Sequence, residues 1–292
     1  MPQPYNKVLI IGNGFDLNLG RPTSYAEFIQ SSAFKDLLNT QEKFGEKPNK
    51  NMLAHHLKDR ASIQNWIDLE IELSTYANKD RSIYEDGYGN LRSEYQSLKT
   101  ALLDYLNKLP KIQIQEHGNK MAYKIMLNLK ELDNVLILDF NYTDTIQEFV
   151  RELTLDQRVE HKHVHGIAES GDIVLGVHDG AVSIDNSYLE KSRSNSYLSQ
   201  NNITSILTTA KCVEIFGHSL GETDNAYFKQ YMRNLVEGEK TNHELTIWHY
   251  GEDGADSIHR EIVRLTDSRR ANLKQNIDLK FRDSQASSLK MS

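Results

Sequence analysis

Val8-Leu9-Ile10-Ile11-Gly12-Asn13-Gly14-Phe15-Asp16 is the stretch that decides the fold class. Four consecutive apolar residues stopped by a Gly-Asn-Gly turn read as a strand buried on both faces, as in a parallel sheet covered by helices. A helix start follows near Ser24. Thr23-Ser24 supplies an N-cap, Glu27 stands three residues beyond Ser24, and Phe28 and Ile29 begin an apolar face.

Working outward, strand-like runs return at 134–140, 159–164, 211–216 and 243–250, with a short candidate at 173–176. Helical patterns lie between them, through Val150, over 224–236 and over 255–265. Strands alternating with helices predict an α/β fold, a Rossmann-like parallel sheet with helices on both faces. Between Phe34 and Leu109 the spacing becomes helical (Trp66, Leu69, Leu73, Tyr76; Tyr95, Leu98, Leu102, Leu106) with no β-rich run. The expected organisation is therefore a core of 1–33 and 111–268, a helical insertion of 34–110, and a tail of 269–292. The tail carries six basic and two acidic residues, a net +4, and reads as solvated or partner-docking. Residues 183–202, rich in Ser and Asn, read as a mobile loop or weak helix.

The net charge of −7, from 34 Lys and Arg against 41 Asp and Glu, disfavours extended nucleic-acid binding and a dedicated membrane-surface role. One cysteine, Cys212, excludes an internal disulfide and a cysteine zinc ribbon, and fits a reducing compartment. No apolar run approaches membrane-spanning length. A cytoplasmic protein is expected.

Ligands of open parallel sheets bind beyond the carboxyl ends of the strands. Four polar clusters follow predicted strands: Gly12-Asn13-Gly14-Phe15-Asp16, Asn141-Tyr142-Thr143-Asp144, His165-Gly166 and Gly217-His218-Ser219. In one sheet they converge on one rim. The first offers backbone amides to an anion but is not a dinucleotide fingerprint, since Leu17 stands where the third glycine belongs. It reads equally as a tight turn with no ligand, and Asp16 must point away from any phosphate. Asn141 suits sugar hydroxyls. Asp144 reads first as a helix cap. His165 is placed to relay a proton, or to serve as a structural hydrogen-bonding group.

His161, His163 and His165 alternate and so share a strand face, a rival zinc reading. Alternate positions lie roughly 7 Å apart, too far for one ion to take all three; His163 with His165 and Asp179 or His178 is the variant left open. Asp68 and Glu70 read as solvated helix charges, or as carboxylates reaching the cleft. Cys212 reads as a buried strand residue.

These residues resemble the AbiH family of bacterial phage abortive-infection proteins. The matching segments are Ile10–Leu17, Pro22–Tyr25 with Phe28, Trp66–Glu70, Phe140–Thr145, His163–Gly166 and Ile215–Asp224, in the expected order. The family in turn resembles the SIR2-like, sirtuin-type NAD-binding fold. Gly12-Asn13-Gly14 is similar to its pyrophosphate loop, and Asn141 with Asp144 to its Asn-x-Asp element, here with two residues intervening. His165-Gly166 is similar to its catalytic histidine, and Gly217-His218-Ser219 to its adenosine-ribose loop. Asn13 replaces an alanine, and the cysteine zinc module is absent, which disfavours a deacetylase.

The resemblance implies an antiphage effector that hydrolyses NAD+ to nicotinamide and ADP-ribose, with Asn141, His165 and Asp144 catalytic. Gly12, Asn13, Gly14, Phe15, Asp16, Gly217, His218 and Ser219 would bind the nucleotide. NAD+ is then a substrate and no metal is expected. Because unchecked NAD loss would poison the host, gating by homo-oligomerisation or a regulatory protein is expected. The alternatives are a nucleotide-binding switch without turnover and a metal-assisted phosphodiesterase or nuclease.

Overall fold

A computed structural model describes residues 4–39, 41–44, 47–60, 66–79, 91–194 and 200–285. In chain order its elements begin with β1 (Lys7–Ile11), α1 (Gly14–Asn18), α2 (Tyr25–Gln30), α3 (Ser32–Asn39), β2 (Gln41–Phe44), β3 (Lys47–Lys50) and α4 (Met52–Lys58). Next come α5 (Trp66–Ala77), α6 (Leu91–Asn107), α7 (Met121–Asn128), β4 (Val135–Asp139), α8 (Thr145–Glu152), β5 (Val159–His163), β6 (Gly166–Ile167) and β7 (Asp172–Ile173). The chain continues through α9 (Lys191–Ser194), α10 (Gln200–Thr209), β8 (Cys212–Phe216), α11 (Asn225–Glu237), β9 (Glu244–His249), α12 (Gly251–Leu265), α13 (Arg270–Asn276) and β10 (Asp278–Asp283). They fall into two compact units, residues 1–21, 111–166 and 197–292, and residues 22–110 and 167–196.

The first unit is built on a six-stranded sheet in the order β10-β9-β8-β1-β4-β5, every pairing parallel. Counted along the sheet in chain order, this is the 3-2-1-4-5-6 arrangement of a doubly wound fold, whose order reverses between β1 and β8. The apolar run that opened the sequence reading explains the centre. Val8 and Ile10 enter one buried cluster with Leu136, Leu138, Val213 and Ile215. Leu9 and Ile11 enter another with Val135, Ile137 and Phe216. These four apolar side chains of β1 are fully buried, so each stabilises the sheet by roughly 1.5–3 kcal/mol. Among the described residues no helix is long and apolar enough to cross a membrane.

The 269–292 tail departs from expectation. Its described part folds as α13 and β10, and β10 pairs in register with β9 from Asp278↔Glu244 to Asp283↔His249. Leu273 and Ile277 are buried, and Arg270 lies over the Phe281 ring at 5.5 Å. An edge strand covers little apolar surface, so Asp-Leu-Lys-Phe-Arg-Asp is too polar to announce itself.

In the second unit α2 starts as expected, with the Ser24–Glu27 capping box formed on both sides. The unit is not the insertion alone. Residues 22–33 belong to it, Phe28 packing on Phe34 and Tyr105 at 5.3 and 5.7 Å. Residues 167–196 return to it, where Tyr95 donates to the Leu175 carbonyl and Lys191 pairs with Glu70. It also holds a two-stranded antiparallel pair, β2 with β3, where no strand was expected. The Ser- and Asn-rich stretch contains short helices, a 3-10 segment at Ile184–Leu189 and α9.

Candidate active site

Each carboxyl-end loop of the first unit is shaped by the strand before it. The Gly12–Gly14 turn leaves β1 and docks backbone to backbone on the turn that leaves β8. Gly12 N–H donates to the Phe216 carbonyl (3.1 Å), Gly14 N–H to the Gly217 carbonyl (2.8 Å), and Phe15 N–H to the Gly12 carbonyl (2.9 Å). A Cβ on Gly217, where φ is +71°, would stand 2.3 Å from the Phe15 nitrogen, and one on Gly12 would stand 2.6 Å from the Gly217 oxygen. The glycines therefore allow two loops to touch. The expected cradle made by the Gly12 and Gly14 amides is corrected here, because both donors are already engaged.

Phe15 and Asp16 also turn inward. Phe15 packs edge-on against Phe149 and Phe216 at 5.7 and 5.9 Å. Asp16 is fully buried and accepts from Thr143 Oγ1 at 2.7 Å. Burial raises its carboxyl to about 6, a rise that the Arg21 charge and the Thr143 and Thr145 hydroxyls only partly offset. Arg21 donates to Thr145 Oγ1 and reaches Asp144 Oδ1 at 3.4 Å. Asp144 occupies the residue before α8 but does not cap it through its side chain. Asp16, Thr143, Thr145, Arg21 and Asp144 form one network that fixes the loop after β4. Asp16 and Phe15 are thus supports rather than contact residues.

Asn141 stands two residues past the end of β4. Its N–H donates to Asp139 Oδ1 at 2.9 Å. Its side chain is buried, and Nδ2 finds no acceptor among the described residues. The flanking rings of Phe140 and Tyr142 lie 5.1 and 6.5 Å from His165. His165, just beyond β5, brings Nε2 to 3.4 Å from Asp224 Oδ1. The other oxygen, Asp224 Oδ2, lies 3.3 Å from His218 Nε2. Leu220 N–H donates into His218 Nδ1 at 3.0 Å, so Nδ1 carries the lone pair and Nε2–H faces the carboxylate. Leu220 holds this turn with φ +56° and is fully buried. Asp224 thus stands within ion-pairing distance of both imidazoles, and the Phe140 ring lies 4.5 Å from His218.

Beside His218 opens a crevice of about 440 Å³ lined by Gly14, Leu17, Gly217, Ser219, Trp248 and Tyr250 among others. It lies where the strand order reverses, the place at which such sheets take ligands. Trp248 is anchored from behind, its Nε1–H donating to Glu214 Oε1 at 2.6 Å. Tyr250 is two-thirds exposed.

The sequence reading brought Asn141, His165, His218 and Ser219 to one rim, and there they stand. It missed Asp224, although Asp224 closes the quoted Ile215–Asp224 segment, and it missed Arg21, a lone arginine that carries no pattern. Trp248 sits inside the 243–250 strand, where nothing in the linear order marks it as a crevice wall. Glu70 is held by Lys191 Nζ at 2.9 Å within the second unit; the Asp68 side chain lies outside the described residues.

A parallel sheet in this order, with polar groups and a crevice at the reversal point, defines a Rossmann-like protein with a candidate site on the carboxyl rim. Residues 8–247 match the family model for bacteriophage abortive infection AbiH, and the chain belongs to that family. No curated protein matches the chain.

Proposed function

We propose that this protein acts in abortive infection by hydrolysing NAD+ to nicotinamide and ADP-ribose. The observation that carries the reading is the buried Asn141 amide with an open donor, set in the loop whose rings pack on a carboxylate-paired His165. A donor left without a partner in a buried position is costly unless a ligand accepts it. The order of rim segments, which resembles the sirtuin-type pattern, supports the same assignment.

In this reading the adenosine half occupies the crevice against Trp248, and the nicotinamide riboside lies toward Asn141. Asn141 Nδ2 donates to a ribose hydroxyl and holds the sugar as positive charge develops at C1′. The C1′–N bond breaks and its electron pair passes to the pyridinium nitrogen. The oxygen of water bonds to C1′, and one of its protons leaves through His165, whose imidazolium Asp224 stabilises. Gating by oligomerisation or a partner protein belongs to this proposal. The C-terminal strand is committed to the sheet, so the gating surface is assigned to the helical unit.

The test measures NAD+, nicotinamide and ADP-ribose in phage-infected cells carrying the wild type, Asn141→Ala or Asp224→Asn. Stoichiometric conversion of NAD+ only in infected wild-type cells is expected. Intact NAD+ alongside full defence sinks the hydrolase. If ADP-ribose still quenches Trp248 in that case, the crevice is the site of a nucleotide switch without turnover.

A further inference from the structure

We propose that Asp139, His161 and His163 bind a divalent first-row transition-metal ion, of the zinc and cobalt class, as a two-histidine, one-carboxylate site. The sequence reading expected no metal. It considered the histidines of β5 only against one another and against His165, Asp179 or His178. The missing ligand comes from the neighbouring strand. Asp139 ends β4 and pairs in register with His163, and His161 and His163 project to the same face of β5.

One ring nitrogen of each histidine and one oxygen of Asp139 lie within 4.8 Å of one another. His161 Nε2 is 3.1 Å from Asp139 Oδ2, and His163 Nδ1 is 3.8 Å from it. The ligand atoms of a tetrahedral ion with bonds near 2.0–2.1 Å stand about 3.4 Å apart. The present spacings straddle that value, so side-chain adjustment closes the site without moving the strands. Asp139 is fully buried, and both imidazoles are nine-tenths buried.

Two further observations point to an ion rather than to a simple His161–Asp139 hydrogen bond. First, the carboxylate is already oriented: the Asn141 N–H holds Asp139 Oδ1 and leaves Oδ2 for the histidines, a contact of the kind metal-bound carboxylates use. Second, His163 Nε2 is buried with no hydrogen-bond partner among the described residues, so the proton can sit there while Nδ1, 3.8 Å from Asp139 Oδ2, exchanges its 3.2 Å contact with the Asn141 carbonyl for the ion.

The donor set, two imidazoles and a carboxylate, suits zinc, cobalt, iron or manganese over calcium or magnesium. Bound there, the ion clips β4 to β5 and fixes Asp139, the carboxylate on which the Asn141 N–H rests, a positioning role. The inference stands independently of NAD hydrolysis, because it is read without nucleotide.

The experiment titrates tag-free, chelator-treated full-length protein with Co2+ and records visible absorption and calorimetric stoichiometry. Wild type, His161→Gln, His163→Gln and the control His178→Ala are compared after circular dichroism has verified folding. One Co2+ per chain is expected, displaced by Zn2+, with d–d bands of a low-coordinate site. Affinity should fall at least about a hundredfold in each of the two β5 variants and stay unchanged in the control. Absence of a stoichiometric site in the wild type overturns the proposal. So does binding that survives both substitutions. If a β5 variant does not fold, Zn2+-dependent elevation of the wild-type melting temperature decides instead, and its absence counts against the site.

Discussion

Replacing Asp16 by Asn offers a direct check on the network beneath the rim. Asp16 has a carboxyl held at about 6 in the fold against 3.8 as an ordinary aspartate, because burial outweighs the Arg21 charge and the hydroxyl donors. The folded pKa is the higher one, so the native state binds more protons between those limits. Stability supplied by this group is complete below about pH 3.8 and is lost as pH rises through about 6. A rise of about two units is worth roughly 3 kcal/mol. Asp16→Asn keeps an acceptor for Thr143 and removes the titration. The variant should match wild type in acid and exceed it by roughly 3 kcal/mol above about pH 7. Urea unfolding in a Trp66→Phe background leaves Trp248 to report the first unit alone. With a slope of about 2–3 kcal/mol per molar, the midpoint should rise by roughly 1 M at neutral pH relative to wild type. A difference independent of pH, or a variant that becomes weaker as pH rises, refutes the reasoning and shows that the Arg21–Asp16 attraction dominates burial.

Gly217→Ala combines a left-handed backbone with a Cβ placed 2.3 Å from a backbone nitrogen; it should cost at least about 3 kcal/mol, visible as a lowered melting temperature or insoluble expression. Asp224→Asn removes the carboxylate shared by His165 and His218. Nicotinamide release in activated lysates should fall about a hundredfold or more at unchanged circular dichroism. Tyr250→Ala, at an exposed crevice wall, should weaken ADP-ribose binding roughly tenfold while leaving the melting temperature within about 1 °C. Deleting residues 278–292 removes β10 and uncovers β9, so the chain should aggregate rather than lose a dispensable tail.

What the sequence revealed follows from where each signal is written. Strands buried on both faces are contiguous apolar runs, so β1, β4 and β8 were legible, and the polar exits of β4 and β8 located Asn141 and His218, as the His-Gly end of β5 located His165. A capping box is local, and Ser24 with Glu27 was legible too. Pairing is not local. Nothing in the linear order brings Arg21 beside Asp144, Lys191 beside Glu70, or β10 beside β9, because those partners are set by which elements share an edge or a cluster. Glycine was legible as a turn but not as a contact. The same Gly12-Asn13-Gly14 that suggests an anion cradle serves, once folded, to seat one loop on Gly217.

The same reasoning explains why two histidine groups on neighbouring positions of one segment acquire different chemistry. His161 and His163 share the β5 face on which Asp139 lies, and they meet that carboxylate. His165 lies beyond the strand end, where the register no longer binds it to that face, and it meets Asp224 from the loop after β8. Asn141 stands between the two arrangements. Its backbone holds Asp139 and faces His163, while its amide remains open at the rim. A change in how Asp139 and its histidines are occupied must therefore move the donor that the proposed ribose contact uses. Asn141→Ala deletes only the amide and leaves both backbone contacts. It should abolish nucleotide turnover yet leave Co2+ affinity unchanged, whereas loss of both would show that the side chain, not the backbone, holds the lower site together.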